Sequence, residues 1–432
     1  MKFRNLKLSI FLIVLGITGL SFASGTESFT VNGLKVILKK NTSTNIISAN
    51  IYLKGGAAVL SPETSGIENF ALLVAQKGTK NYPKDILNSL LEKMDSKIFS
   101  TVNSDYSALH LRSVKQNFQK SWKIFADILL NPLFNKKDVD IQRAQQIAVI
   151  KQIVDNADPY LRQLSTQAFY TNHPYSVSVI GTIATISSFT GSQLKDYMRS
   201  RINTSSMLLV IVGNADRTEI EKMVQDSFGN LPVGNFKAIK YTEVNHQAPS
   251  IKIVKRKLPT NYIRGSFPAP AFGTKDYYTM AIATSILRDR LFQEVRTKRG
   301  LSYAPAAGSA NKFSNFGFIY VTAVKPDTTI KVMHAEVEKI RSEKVSASEL
   351  TNKVNVMITR YYLGNETNAS QANILATFEL SGAGYAEGAK YKDNMRQVTT
   401  DEILNVSKKY MKDFQFVLLG NPKSLGIENF MF

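Results

Sequence analysis

The sequence predicts an α+β protein made of two homologous layered halves, each an antiparallel or mixed β-sheet with helices packed on one face. Three observations carry this expectation. MLLVIVGNADR (Met207 to Arg217) and FQFVLLGNPKS (Phe414 to Ser424) are one device used twice, an apolar strand ending in Gly-Asn. A helix with a similar tetrapeptide precedes each, KDYM at Lys195 to Met198 and KKYM at Lys408 to Met411. Within each half the helical stretches are grouped, with sheet elements at both ends, which favours layers over a βαβ alternation.

In chain order, the first element is a leader. MKFRNLK is basic, LSIFLIVLGITGL is an apolar run of 13 residues, and Ser21 and Ala23 are small where a signal peptidase reads. Residues 1–23 are therefore expected to be a secretory signal, too short for a membrane span, cleaved after Ala23. Loss of Lys2, Arg4 and Lys7 takes the formal charge from +20 to +17. No other run could cross a bilayer, so no stable span is expected after cleavage. The 432 residues contain no Cys, which excludes disulfides, thiolate nucleophiles, zinc ribbons and a lipidated N-terminal Cys. An exported chain of this size without disulfides rests on large apolar cores, and the periplasm suits it best. The 54 Lys and Arg against 34 acids are scattered, without a dense basic run or arginine-rich arm. That distribution fits general surface charge or an acidic partner and speaks against nucleic acid.

Residues 24–234 form the expected first half, 235–250 a linker and 251–432 the second half. The halves open alike. IISANIYLKGGAAV (Ile46 to Val59) is an alternating strand leading into a helix near Gly66, and NYIRGSFPAPAF (Asn261 to Phe272) is a strand leading into a helix near Tyr277. No G-x-G-x-x-G follows a strand, and GAGY (Gly382 to Tyr385) falls among helices and reads as a connecting turn.

SGIENFALLVAQKGTKNYP (Ser65 to Pro83) predicts a helix capped by Thr64 or Ser65 and ended by Gly78. Ile67, Phe70, Ala71 and Val74 fall at i, i+3, i+4 and i+7, one buried stripe. In the second half, Ala283, Leu287, Leu291 and Val295 form a stripe at i+4 spacing, Gly300 ends the helix and LSYAPAAGS leads out as a strand. Taken from these residues alone, Arg296 pairs with Glu294 or a neighbour, and Tyr303 lies half-buried in that strand. The four His are His110, His173, His246 and His334, and no two lie within one helical turn. His334 and Glu338 stand at i,i+4, a spacing that can share a metal but usually makes a solvated contact. His173 reads as a loop residue.

The Gly-Ile-x-x-Phe…Lys-Gly-Thr helix followed by Pro83, NPLF at Asn131 to Phe134, the Gly-Asn strand ends and RLFQEVRTKRGLSY together resemble the pitrilysin/insulinase (inverzincin) zinc peptidases. The chain is most similar to their short, processing-peptidase-like branch. In that family H-x-x-E-H on one helix supplies two zinc ligands and a general base, and a Glu on a later helix completes the site. The resemblance places the His positions on Asn69 and Leu73 and the Glu position on Leu72. The later helix is QRAQQIAVIKQIV (Gln142 to Val154), with its ligand position near Lys151 and no carboxylate between Asp140 and Asp155. The resemblance thus implies a non-catalytic member that binds no metal of its own. It also implies that Arg296 and Tyr303, at the family's Arg-x6-Tyr spacing, bind substrate: an Arg fork holds a carbonyl or carboxylate and a Tyr hydroxyl donates to an oxyanion.

These expectations define a non-catalytic subunit of a heteromeric zinc metallopeptidase. Its partner would be a zinc-bearing homologue with intact H-x-x-E-H, and its substrate an unfolded or short peptide. The alternative is a proteolytically inactive scaffold or peptide-binding protein of the same fold. An independent Ser or Asp hydrolase is disfavoured, because no G-x-S-x-G elbow is present.

Overall fold

A computed structural model describes residues 25–239, 241–422 and 425–432. The expected signal segment lies outside these residues, as do Lys423 and Ser424 at the end of the second Gly-Asn repeat.

The first half runs β1 (Thr26–Val31), β2 (Leu34–Lys40), β3 (Ile46–Lys54), α1 (Ile67–Ala75), α2 (Lys84–Lys93), β4 (Lys97–Val102), β5 (Tyr106–Val114), α3 (Phe118–Leu130), α4 (Lys136–Asp155), α5 (Ala157–Phe169), α6 (Ile183–Ser188), α7 (Gly191–Arg201), β6 (Met207–Gly213) and α8 (Arg217–Phe228). The second runs β7 (Ser250–Lys255), β8 (Asn261–Ala269), α9 (Lys275–Leu291), β9 (Ala306–Ser309), β10 (Asn315–Ala323), α10 (Pro326–Ser342), α11 (Ala347–Gly364), α12 (Asn368–Leu380), α13 (Tyr391–Arg396), α14 (Thr400–Tyr410) and β11 (Gln415–Gly420). One sheet has the order β1-β2-β6-β3-β5-β4 and the other β7-β11-β8-β10-β9. Leaving out the β1 edge, the two orders match strand for strand. Each has one parallel pair, β2 with β6 and β7 with β11, and is otherwise antiparallel. The Gly-Asn strands are β6 and β11, and α7 and α14 lead into them.

Each sheet carries its own half's helices on one face, and a helix from the other half reaches its second face. Along β6, Met207, Leu209 and Ile211 enter the first core while Leu208, Val210 and Val212 enter the second. This is why the strand reads as an unbroken apolar run rather than an alternating one. Helix α12 crosses to pack on β6 and β3, and α5 crosses to pack on β11 and β8. Leu161 and Leu164 of α5 meet Val417 and Leu419 of β11. Each such side chain, fully buried, contributes about 1.5–3 kcal/mol. Polar ties flank the crossings: Tyr106 Oη lies 3.1 Å from Thr377 Oγ1, Asn368 Nδ2 donates to Ile46 O at 2.6 Å, and Tyr320 Oη donates to Asp158 at 2.5 Å.

Two details of α1 depart from expectation. Its N-cap is Gly66, in the left-handed region at φ 83°, and not Thr64 or Ser65. The Ser65 hydroxyl donates instead to Ser178 O at 2.9 Å. This docks α1 against the 178–181 loop so closely that a Cβ on Gly66 would sit 2.4 Å from Gly181 Cα. At the other end Gln76 is the C-cap, and Gly78 (φ 140°) serves the turn after it. The expected stripe is buried, with Leu72 added to it at 0% exposure.

Candidate functional site

Helix α1 carries the positions where the resemblance calls for metal ligands. Asn69 is 9% exposed, Leu72 is fully buried and Leu73 is half-buried. Helix α4 packs beside it, with the Arg143 guanidinium 5.9 Å above the Phe70 ring, while Lys151 is exposed. The position near which the resemblance looks for a ligand on the later helix thus holds a solvent-facing cation and not a carboxylate. Leucine has no lone pair, and a carboxamide is a weak zinc donor beside thiolate, imidazole or carboxylate. Among the described residues no three His, Asp or Glu side chains converge in a way that could hold a metal. The donor set at α1 does not fit zinc.

The one carboxylate on α1 is used differently. Glu68 has 3% side-chain exposure and pairs with Arg201 Nε at 2.8 Å, with Arg201 itself 10% exposed. Tyr197 Oη donates to Glu68 at 2.6 Å, and the Ser107 hydroxyl also donates to it. The second Arg201 branch donates to Lys54 O at 2.6 Å. Burial and then the Glu68 charge hold the Tyr197 phenol well above its ordinary range. Burial acts to lower the Arg201 pKa, but Glu68 and Tyr197 outweigh it and carry it upward. This network bolts α1 to α7 and to β3. Sequence reasoning passed over it, because Glu68 stands one residue before the motif and its partners Tyr197 and Arg201 lie more than a hundred residues away.

Arg296 and Tyr303 come together in the second half. After α9 the helix widens into a π-type turn over Phe292–Thr297. Gly300, left-handed at φ 57°, closes it: its N–H donates to Arg296 O at 3.0 Å, and Leu301 N–H donates to Val295 O at 2.8 Å. The chain doubles back and sets the Arg296 guanidinium 4.0 Å from the Tyr303 ring centroid and 4.8 Å from that of Phe292. Such π-turns occur frequently at functional sites. Glu294 is not the partner of Arg296: it takes Lys298 at 2.6 Å and also Arg299, and these two cations hold its carboxyl down at about 2. No described acceptor bonds the Arg296 guanidinium. Tyr303 is 76% exposed and lies in a loop, not in the expected strand. Strand β9 begins only at Ala306, because Pro305 has no N–H to give a ladder and Ala304 N–H turns to Ser302 Oγ at 3.3 Å. The core stripe of Ala283, Leu287, Leu291 and Val295 is fully buried and anchors the turn. Phe292, which completes the stack, was not singled out from the sequence.

Three of the four histidines take structural places. His334 Nε2 lies 3.5 Å from Glu338, which Arg341 also contacts, and the ring stacks on Phe432 at 3.9 Å. His173 caps a short turn by accepting from Tyr175 N–H at 3.1 Å. His110 stacks on Phe99 and bonds Thr101, and burial lowers its pKa to about 4.

A duplicated chain with matched sheets and exchanged helices is the layout of a two-half peptidase fold. Residues 35–183 match the family model described as insulinase (peptidase family M16), and residues 188–357 match the one described as peptidase M16 inactive domain. The chain belongs to the insulinase/pitrilysin family. An uncharacterized zinc protease of Rickettsia felis is 22% identical over 418 residues, covering 92% of this chain and 99% of its own length. The crystal structure of a peptidase M16 inactive domain from Pseudomonas fluorescens superposes with a TM-score of 0.85 at 16% identity, covering 93% of this chain and 99% of that one. The periplasmic protease PqqL of Escherichia coli gives 0.77 at 16% identity, over 94% of this chain and 49% of its own.

Proposed function

We propose that this chain is the metal-free subunit of a heteromeric zinc metallopeptidase in the periplasm. The zinc, its ligands and the general base belong to a partner homologue with intact H-x-x-E-H, and Arg296 and Tyr303 bind the peptide substrate. The observation that carries this reading is the opposite fate of two equivalent segments. Helix α1 has only Asn69, Leu72 and Leu73 where ligands and base belong, while the turn after α9 presents an unpaired guanidinium stacked on an exposed phenol ring. Membership of a peptidase family and the likeness to a periplasmic protease support the compartment and the substrate class. Among the described residues no helix is long and apolar enough to cross a membrane. Peptide backbone would add to an exposed sheet edge such as β4 or β9, with Arg296 gripping a carbonyl or carboxylate.

The test is reconstitution. Alone, the purified chain is expected to cleave no peptide; mixed with its zinc-bearing homologue, hydrolysis appears or rises at least tenfold. Arg296→Ala or Tyr303→Phe then lowers that rate while the chain stays folded. A mixture that remains inert, or two silent substitutions, would favour the scaffold or peptide-binding alternative.

A further inference from the structure

The second sheet holds another arginine without a partner. Arg264 sits in β8, paired in register with Tyr320 of β10 on one side and Val417 of β11 on the other. Its guanidinium lies 3.7 Å from the Phe318 ring centroid and 5.8 Å from that of Phe316. A guanidinium has five N–H donors and no acceptor capacity. Stacking satisfies its flat face but none of those donors. Among the described residues none accepts a hydrogen bond from it. The charge that faces it is a like one, Arg162 of α5. Burial, and then Arg162, bring the Arg264 guanidinium down to about 10. The nearest acid on α5, Asp158, is already engaged by the Tyr320 hydroxyl at 2.5 Å.

The surroundings are built for contact. Along β10 one side is buried (Asn315, Gly317, Ile319, Val321 and Ala323), while Phe316, Phe318 and Tyr320 form a half-exposed aromatic row on the other. Helix α5 and Tyr170 cover part of this row, Phe169 and Tyr170 against Phe316 and Leu161 and Leu164 beside Tyr320, with Arg264 half-buried next to Phe318 and Arg162 exposed on α5. The two like charges repel each other, and a bound carboxylate would relieve that repulsion and take up guanidinium donors now left to solvent.

We propose that Arg264, seated on Phe318 and flanked by Arg162, is a carboxylate-recognition position that takes an acidic side chain or the C-terminal carboxylate of a bound peptide. It rests on the peptide-binding part of the reading above, but requires neither zinc nor a partner subunit. It is distinct from Arg296 and Tyr303, which stand on the turn after α9.

Fluorescence anisotropy with the purified full chain tests it, using three labelled decapeptides: one carrying three Glu with an amidated C-terminus, its Gln counterpart amidated, and the Gln peptide with a free C-terminus. At low salt the Glu peptide, the free-carboxylate peptide or both are expected to bind about tenfold tighter than the amidated Gln peptide. Which of the two does so identifies the source of the carboxylate. Arg264→Met abolishes the preference and leaves the urea midpoint unchanged or higher, whereas an arginine with a purely structural role would lower the midpoint. Arg264→Lys retains part of the preference, as a point charge without the fork. Equal binding of all three peptides by the wild-type chain overturns this proposal while sparing the peptide-binding reading. Binding of none overturns both. A preference that survives in Arg264→Met overturns the assignment to Arg264.

Discussion

Helix α1 and the α9 turn occupy equivalent places in the two halves. Each follows the inner strand, β3 or β8, and precedes the outer hairpin, β4–β5 or β9–β10. In the first half the polar chemistry has turned inward. Glu68 is sealed from water and spends its charge on Arg201, Tyr197 and Ser107, and the positions where the resemblance calls for metal ligands hold a carboxamide and a leucine. In the second half it has turned outward: the Arg296 guanidinium stacks on Tyr303 and Phe292, and among the described residues neither it nor the Tyr303 hydroxyl makes a hydrogen bond. Similar side chains thus do different work according to their partners: a buried ion pair secures a helix, and a half-buried guanidinium without an acceptor remains free for a ligand.

Substitutions should separate the two segments by stability first. Arg201→Met leaves Glu68 buried without its counter-charge and is expected to cost about 3–5 kcal/mol by urea denaturation. Adding Glu68→Leu should recover most of that loss, because removing both charges is far less harmful than removing one. A mild effect of Arg201→Met alone would break the contrast. Leu72→Glu restores the family's acid at a fully buried site and should cost about 3 kcal/mol. A neutral outcome would mean that α1 still tolerates catalytic chemistry.

The junction between the halves has its own pH signature. Asp105, in the β4–β5 turn, accepts from the Tyr175 hydroxyl and from Phe313 N–H at 3.3 Å, and Lys312 Nζ donates to neighbouring Ser104 at 3.1 Å. Burial lifts the Asp105 carboxyl from 3.8 to about 6, against the opposing pull of Lys312 and the Phe313 N–H. A raised carboxyl favours the protonated folded state. Its contribution is therefore greatest at pH below 3.8 and is lost as pH rises towards 6. Relative to Asp105→Asn, the wild-type chain should lose up to about 3 kcal/mol of stability between pH 4 and 7. Parallel pH profiles for the two proteins would contradict this. The smallest effects belong to the stacked pair, half-buried Arg296 and exposed Tyr303: Arg296→Ala and Tyr303→Phe should each shift stability by less than about 0.5 kcal/mol. A larger loss would make them structural residues.

Much of the fold was legible because periodicity and repetition are local. The Gly-Asn strands, the helices that feed them and the stripe from Ala283 to Val295 could each be read from short windows. The exchange of α5 and α12 could not, since Leu161 against Val417 is a contact across more than half the chain. The ends of α1 were misjudged for a related reason, because the 178–181 loop claims Ser65 and leaves Gly66 as the cap. The π-turn escaped because widening by one residue per turn leaves no pattern in FQEVRT. At the site, the absence of imidazole and carboxylate at Asn69, Leu72 and Leu73 was visible in the letters alone. Glu68 and Arg264 were not, because their meaning depends on what stands beside them.

Zinc titration of the purified chain against a chromogenic chelator addresses the emptiness of α1 most directly. The account predicts that the chain takes no zinc from the chelator and gains no peptide hydrolysis when the metal is in excess. One equivalent held tightly, accompanied by chelator-sensitive cleavage by this chain alone, would contradict it.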